Sequence, residues 1–282
     1  MVAKHKKGRS AVFHIFSILL GFIMIYPLLW MISSSMKSNE TIFVDSYSLI
    51  PKSFDAAKNY ASGWEGIAGQ NFGRFLANSL IVTVIGTVGG VFVSVLAAYV
   101  FARLKFVGDR FWFGCVMVTL MVPSQVMVVP QYIIFRNLKL TDSYFSMLAP
   151  WVFGGAFFIF LMTQFIRGLP KELDEAASID GCGKLGILFK ILMPLVSPSI
   201  VTSGIFSFYW IWQDFFQPLI FVDSPEKFTI PLALNLFTDP NSYSNHGGMF
   251  AMSVISLIPV VGIFIFFQKY LVEGIATTGM KG

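Results

Sequence analysis

The chain has 282 residues, 55% of them hydrophobic and 12% charged, with a formal net charge of +5 and a mean hydropathy of +0.71. A water-soluble domain carries about 25% charged residues, so these side chains cannot clothe a soluble surface. The 31 Phe put the apolar excess into bulky groups suited to lipid. The basic residues are not gathered beside exposed aromatics, as a nucleic-acid interface requires.

The apolar excess falls into six blocks, near residues 11–32, 75–100, 111–134, 145–166, 195–221 and 249–268. Each can cross a hydrocarbon layer of about 30 Å, which takes about 20 helical residues. Barrel strands would be about ten residues long and would alternate apolar with polar. The expectation is an all-α polytopic membrane protein with six transmembrane helices in one domain, 1–282.

Lys4, Lys6, Lys7 and Arg9 precede the first block in the manner of a signal peptide. The apolar run is too long for one and lacks a small-x-small cleavage site, so it is read as a retained helix. Pro27 and the interfacial Trp30 mark its far end. Residues 33–74 form a loop with room for one short helix. In the second block Gly86, Gly89, Gly90, Ser94, Ala97 and Ala98 predict close backbone packing inside a bundle. The third carries Pro123 and Pro130 beside Ser124, Gln125 and Gln131, a kinked and partly polar helix. Its glutamines are either helix–helix contacts or the lining of a translocation path. In the fifth, Trp212, Gln213, Asp214 and Gln217 lie near one end, and Asp214 reaches water, caps a neighbouring backbone or faces the path. Residues 222–248 form a second loop, where His246 has no nearby His or Cys to complete a metal set. Cys115 and Cys182 are not a disulfide framework.

Segments 1–10, 101–110, 167–190 and 269–282 hold four, three, four and two of the 20 Lys and Arg residues. That bias predicts both termini in the cytoplasm.

The cytoplasmic segment 167–194 reads RGLPKELDEAASIDGCGKLGILFKILMP. Pro170 suits a first helical position, and Glu172, Asp174 and Glu175 sit near the positive helix end. Gly181 is placed to end the helix in the left-handed conformation. A second helix from about Lys184 feeds through Pro194 into the fifth span. The GCGKL stretch is not a nucleotide loop. A Walker loop needs Gly where Ser178 stands and Ser or Thr where Leu185 stands.

This loop carries a resemblance. Glu175-Ala176-Ala177, three residues, Gly181, nine residues, then Ile191-x-Met193-Pro194 is similar to the signature of the inner-membrane permeases of binding-protein-dependent ABC importers. Met193 replaces the usual Leu, an exchange of similar bulk. The segments NSLIVTVIGTVGGVFVSVLAAYVFARLKFVGDR, MVPSQVMVVPQYIIFRNLKLTDS and QKYLVEGIATTGMKG resemble the carbohydrate subfamily, above all the six-helix subunit of the maltose system. The family commonly has Trp-Asn-Asp-Phe-Leu-Trp-Pro where this chain has Trp212 to Pro218, so Gln217 removes an aromatic near the external mouth.

The resemblance implies a type I ABC importer permease fold in the cytoplasmic (inner) membrane. It implies a sugar or oligosaccharide substrate, with no catalytic residues and no cofactor in this chain. ATP and Mg2+ belong to the partner ATPase. The implied partners are a homologous second permease, two copies of a cytosolic ATPase subunit and an extracellular or periplasmic solute-binding protein, with no nucleic acid. Glu172, Glu175, Ala176, Ala177, Gly181 and Pro194 would couple to the ATPase, and 222–248 would contact the binding protein. Gln125, Gln131, Trp212, Gln213, Asp214 and Gln217 are candidates for the pathway. A secondary transporter or channel would want a buried ionisable residue near the midplane, and the blocks offer no convincing one.

Overall fold

The structure, a computed structural model, describes residues 2–238 and 244–279, with side chains described for 13–238 and 244–270. Lys4, Lys6, Lys7 and Arg9, residues 239–243 of the second loop and the side chains of the tail beyond 270 lie outside that description. The described residues are helical and contain no strand beyond one Ile67–Gln70 bridge.

Four helices are long and apolar enough to cross a membrane, within Phe13–Ser34, Phe72–Arg103, Tyr144–Gly168 and His246–Tyr270. Counted as one span each, two bent pairs bring the number to six. The pair α5 (Asp109–Met121) and α6 (Ser124–Asn137) breaks by 105°. The break falls where Val122 and Pro123 are both extended, because a proline pushes the residue before it out of the helical region. Pro130, in contrast, is accommodated inside α6.

The described residues separate into two compact units. One lies within 1–72 and 234–258. It holds α1 (Val2–Ser34), which runs through Pro27, then α2 (Thr41–Val44), α3 (Ala56–Glu65) and the start of the last helix. Its interior mixes apolar groups such as Ile42 and Met252 with polar ones: Ser33, Ser34, Ser35, Lys37 and Asn59 are all buried. The Asn59 amide donates to the carbonyls of Ser35 and Lys37 at 2.9 and 2.7 Å.

The other unit lies within 73–233 and 259–279. It contains α4 (Phe72–Arg103) from Gly73 onward, α5, α6, α7 (Tyr144–Val152), α8 (Ala156–Gly168) and α9 (Glu172–Ile179). After α10 (Lys184–Ile187) comes a π-turn, Leu188–Leu192, then α11 (Met193–Leu195), α12 (Ser197–Trp212) and α13 (Phe216–Phe221). The expected smooth passage from Lys184 into the fifth span is corrected. The chain turns by 79° at Val196, between Pro194 and Pro198, and the fifth span ends at Trp212 rather than Phe221.

The small residues of α4 act as predicted. A Cβ on Gly90 would meet the Trp151 carbonyl oxygen at 2.4 Å, and one on Gly86 the Ile211 Cδ1 at 2.8 Å. The main chain of α7 therefore rests directly on α4, an approach that only glycine permits.

Candidate coupling site

Helix α9 has eight residues, too few to persist alone in water. Its acidic first turn, with Glu172, Asp174 and Glu175, complements the positive helix end. Pro170 stands just ahead of that first turn. At the other end the Cys182 N–H donates to the Ala177 carbonyl at 2.9 Å and the Gly181 N–H to that of Ser178 at 3.1 Å. This is a Schellman closure, with Gly181 at φ +80° in the left-handed region, as predicted. Nothing lies within 4 Å of where its Cβ would be, so backbone angle and not space demands the glycine.

The last turn of α4 fastens the loop. The Arg103 guanidinium pairs with the Asp174 carboxylate at 2.6 Å, the side chains being 5% and 20% exposed. Arg103 also donates to the Leu169 carbonyl at 2.9 Å, and the Tyr99 hydroxyl to that of Lys184 at 3.0 Å. Arg167 donates to the Phe101 carbonyl at 3.1 Å and lies over the Phe113 ring at 4.8 Å. Both ends of the 169–184 segment are thus tied to one helix. Arg103 is a functional residue that the sequence analysis did not single out. The available signal was a cation ending an apolar helix, with a short acidic helix elsewhere in need of a partner.

The two alanines part company. Ala177 is 6% exposed and joins a core with Tyr99, Ile166, Leu188 and Leu192. Glu172, Glu175, Ala176, Gly181 and Pro194 are exposed, together with Ile179 and Leu185. Adjacent residues on a helix point about 100° apart, so Ala177 turns into its own bundle and leaves the outward contact to Ala176.

Residues 90–277 match the family described as binding-protein-dependent transport system inner membrane component. The chain belongs to that family. It is 36% identical over 276 residues to a probable ABC transporter permease protein, YurM, of Bacillus subtilis, covering 98% of this chain and 89% of that one. It is 32% identical to the arabinooligosaccharides transport system permease protein AraQ of the same organism, covering 95% and 94%. A crystal structure of a bacterial ABC transporter involved in the import of the acidic polysaccharide alginate contains a chain of the same fold. Its TM-score is 0.81 at 23% identity, over 93% of this chain and 95% of that one. Like other inner membrane components of such systems, the chain is a non-catalytic membrane subunit of an ABC transporter, which works with an ATPase and a binding protein. Among its described residues no group of three or more His, Cys, Asp or Glu stands where it could hold a metal.

The pathway candidates of this inner membrane component fall in two places. Trp212 is buried and stacks on Phe208 with centroids 5.6 Å apart. Gln213 is exposed, and Asp214 occupies the gap before α13. One Asp214 oxygen accepts the backbone N–H of Phe216 at 3.1 Å and of Gln217 at 3.2 Å, and the Trp151 side chain also bonds the carboxylate. Of the three readings open to Asp214, capping a neighbouring backbone is the one these contacts describe. Gln125 and Gln131 lie on α6, the first exposed beside Ser124 and the second half-buried.

A further tie, unforeseen in the sequence, joins the loop after α6 to the loop after α13. Asp142, at φ +51°, accepts the N–H groups of Asp223 and Ser224, the Ser224 hydroxyl and the Lys227 ammonium, the last at 2.9 Å. Burial by itself raises the Asp142 pKa. The bonds from Ser224 and Lys227 outweigh it and hold the carboxyl down at about 2.

Proposed function

We propose that this chain is one of two non-identical permeases in an importer for a sugar or oligosaccharide, and that α9 is its coupling helix. Two ATPase subunits bind ATP and Mg2+ below, and a solute-binding protein delivers the saccharide from outside to residues 222–248. Both termini lie in the cytoplasm. Closure of the ATPases on ATP pushes α9, and the bundle switches from inward- to outward-facing. The carbohydrate assignment is supported by the transport systems named above and by the helix and tail motifs. Gln125, Gln131, Gln213 and Gln217 then line a cavity shared with the second permease, with Trp212 packed behind its wall and Asp214 capping α13 at its edge.

One observation carries the coupling reading. Helix α9 exposes Glu172, Glu175, Ala176 and Ile179 on one side while its other side is bolted to α4 through Asp174 and Arg103. A short helix built in this way cannot slip against its bundle, so a push on its outer face becomes a displacement of α4. The test uses the assembled transporter. A cysteine at Ala176 is expected to cross-link to the ATPase, and Ala176→Leu to leave the complex intact while ATP hydrolysis separates from uptake. Ala177→Leu is expected instead to reduce the yield of folded complex. An Ala176 cysteine reached only by reagents outside the cell would overturn the reading.

A further inference from the structure

Residues 41–54 turn an apolar side outward. Phe43, Val44, Tyr47, Ile50 and Phe54 are all exposed, Tyr47 by 92% and Val44 by 85%. Their shape is set by a polar interior. The Lys37 side chain, 1% exposed, donates to the carbonyls of Asp45 at 3.0 Å and Ser48 at 2.6 Å. Five large apolar groups around a buried ammonium invert the arrangement of a water-facing loop.

Two contacts fix the depth of this segment. The Trp30 indole N–H donates to the Ser46 carbonyl at 2.7 Å. Trp30 lies in the apolar stretch Phe13–Ser34, about 6 Å along the axis from its end. Helical side chains lean toward the N-terminus, so the indole sits no nearer the end than its own backbone. Trp30 also meets Phe250 edge-on at 5.2 Å, and Phe250 lies one turn inside the helix that begins at His246. The first helix therefore places Ser46 about a turn inside the end of its apolar span, and the Phe250 contact puts the same indole beside the first turn of the last helix. The segment folds back to that level and carries its apolar side chains with it.

The backbone is prepared for such a place. Toward the acyl region of a bilayer water gives out, and a carbonyl there needs a partner inside the protein. The carbonyls of Asp45 and Ser48 have Lys37, that of Ser46 has Trp30, and that of Ile50 has the Ser48 hydroxyl at 2.7 Å. Asp45 N–H is bonded to Thr41 and Ser48 N–H to Asp45.

We infer that residues 41–54 are a wedge seated in the membrane interface, with Phe43, Val44, Tyr47, Ile50 and Phe54 against the glycerol and upper acyl region of the lipids. Tyr suits that zone, and Lys52, paired with Asp45 at 3.1 Å and itself exposed, is positioned for the phosphates. That this is the outer leaflet rests on the orientation proposed above.

The test is a nitroxide at Tyr47→Cys and, separately, at Ile50→Cys and Lys52→Cys. The label is read in the assembled transporter in phospholipid vesicles, with Cys115 and Cys182 replaced by alanine. At 47 and 50, collisions with oxygen are expected to exceed those with a water-soluble nickel chelate severalfold, and at 52 the preference should reverse. Chelate collisions at 47 matching those of oxygen would mean water covers this face. Failure of both reagents to reach it would mean that protein does, whether the second permease or the binding protein. Either result overturns the wedge. Ascorbate added outside intact vesicles tests the leaflet separately. A label at 52 reduced only after permeabilisation would reverse the orientation and leave the wedge standing.

Discussion

Two ion pairs fasten loops within the 73–233 unit, and they are built on opposite principles. Arg103–Asp174 is the more buried, with side chains 5% and 20% exposed, and joins α4 to α9. Lys227–Asp142 is 25% and 30% exposed and joins two loops, with Ser224 and Asp223 sharing the same carboxylate. Removing one partner from a buried pair strands the other charge, whereas a half-exposed pair leaves its survivor to water and to the remaining donors. The first is a joint that holds only when complete. The second is a cluster that tolerates the loss of one member.

The contrast can be broken experimentally. Arg103→Ala should destabilise the subunit by about 3 kcal/mol, read as loss of assembled complex on extraction and of uptake. Replacing both partners by similar apolar side chains (Arg103→Met with Asp174→Leu) should recover much of the stability. If it also recovers coupled uptake, the joint needs only packing and not charge. Gly181→Ala should have the next largest effect, about 1–2 kcal/mol from forcing a side chain into the left-handed region. It should show as fraying of α9 by hydrogen exchange and as uncoupled ATP hydrolysis. Lys227→Ala should cost about 0–1 kcal/mol, measured as a small drop in thermal midpoint that shrinks further in high salt. An effect as large as that of Arg103→Ala would erase the distinction between the two pairs.

The smallest expected effect is on pH. The Asp142 pKa in the folded chain, about 2, lies below its ordinary 3.8, so its contribution is fully present above about pH 4 and is lost as pH falls from there toward 2. Asp142→Asn should flatten the thermal-midpoint profile in that window alone. An equal fall below pH 4 in the variant would assign the acid sensitivity to other carboxylates.

Much of this was legible in the residues, because each legible feature is local. Gly181 ends α9 as its left-handed preference foretold, and Gly86, Gly89 and Gly90 admit neighbouring helices as small residues in lipid do. The break at Pro123 follows from the proline itself. What stayed hidden depends on partners far along the chain. Lys37 reads as one more loop cation until Asp45 and Ser48 turn their carbonyls onto it. Asp142 and Ser224 are 82 residues apart. The inward turn of Ala177 is visible only once the core that receives it exists.

The residue order alone determined six apolar blocks of spanning length and a short acidic helix between the fourth and the fifth. Apolar length and local turn chemistry act within a few residues, so no distant contact is needed to fix them. The tertiary structure decided which side of that helix is free, which cation holds it, and how deep residues 41–54 lie. Burial and ion pairing are properties of two segments brought together, and neither segment by itself contains the answer.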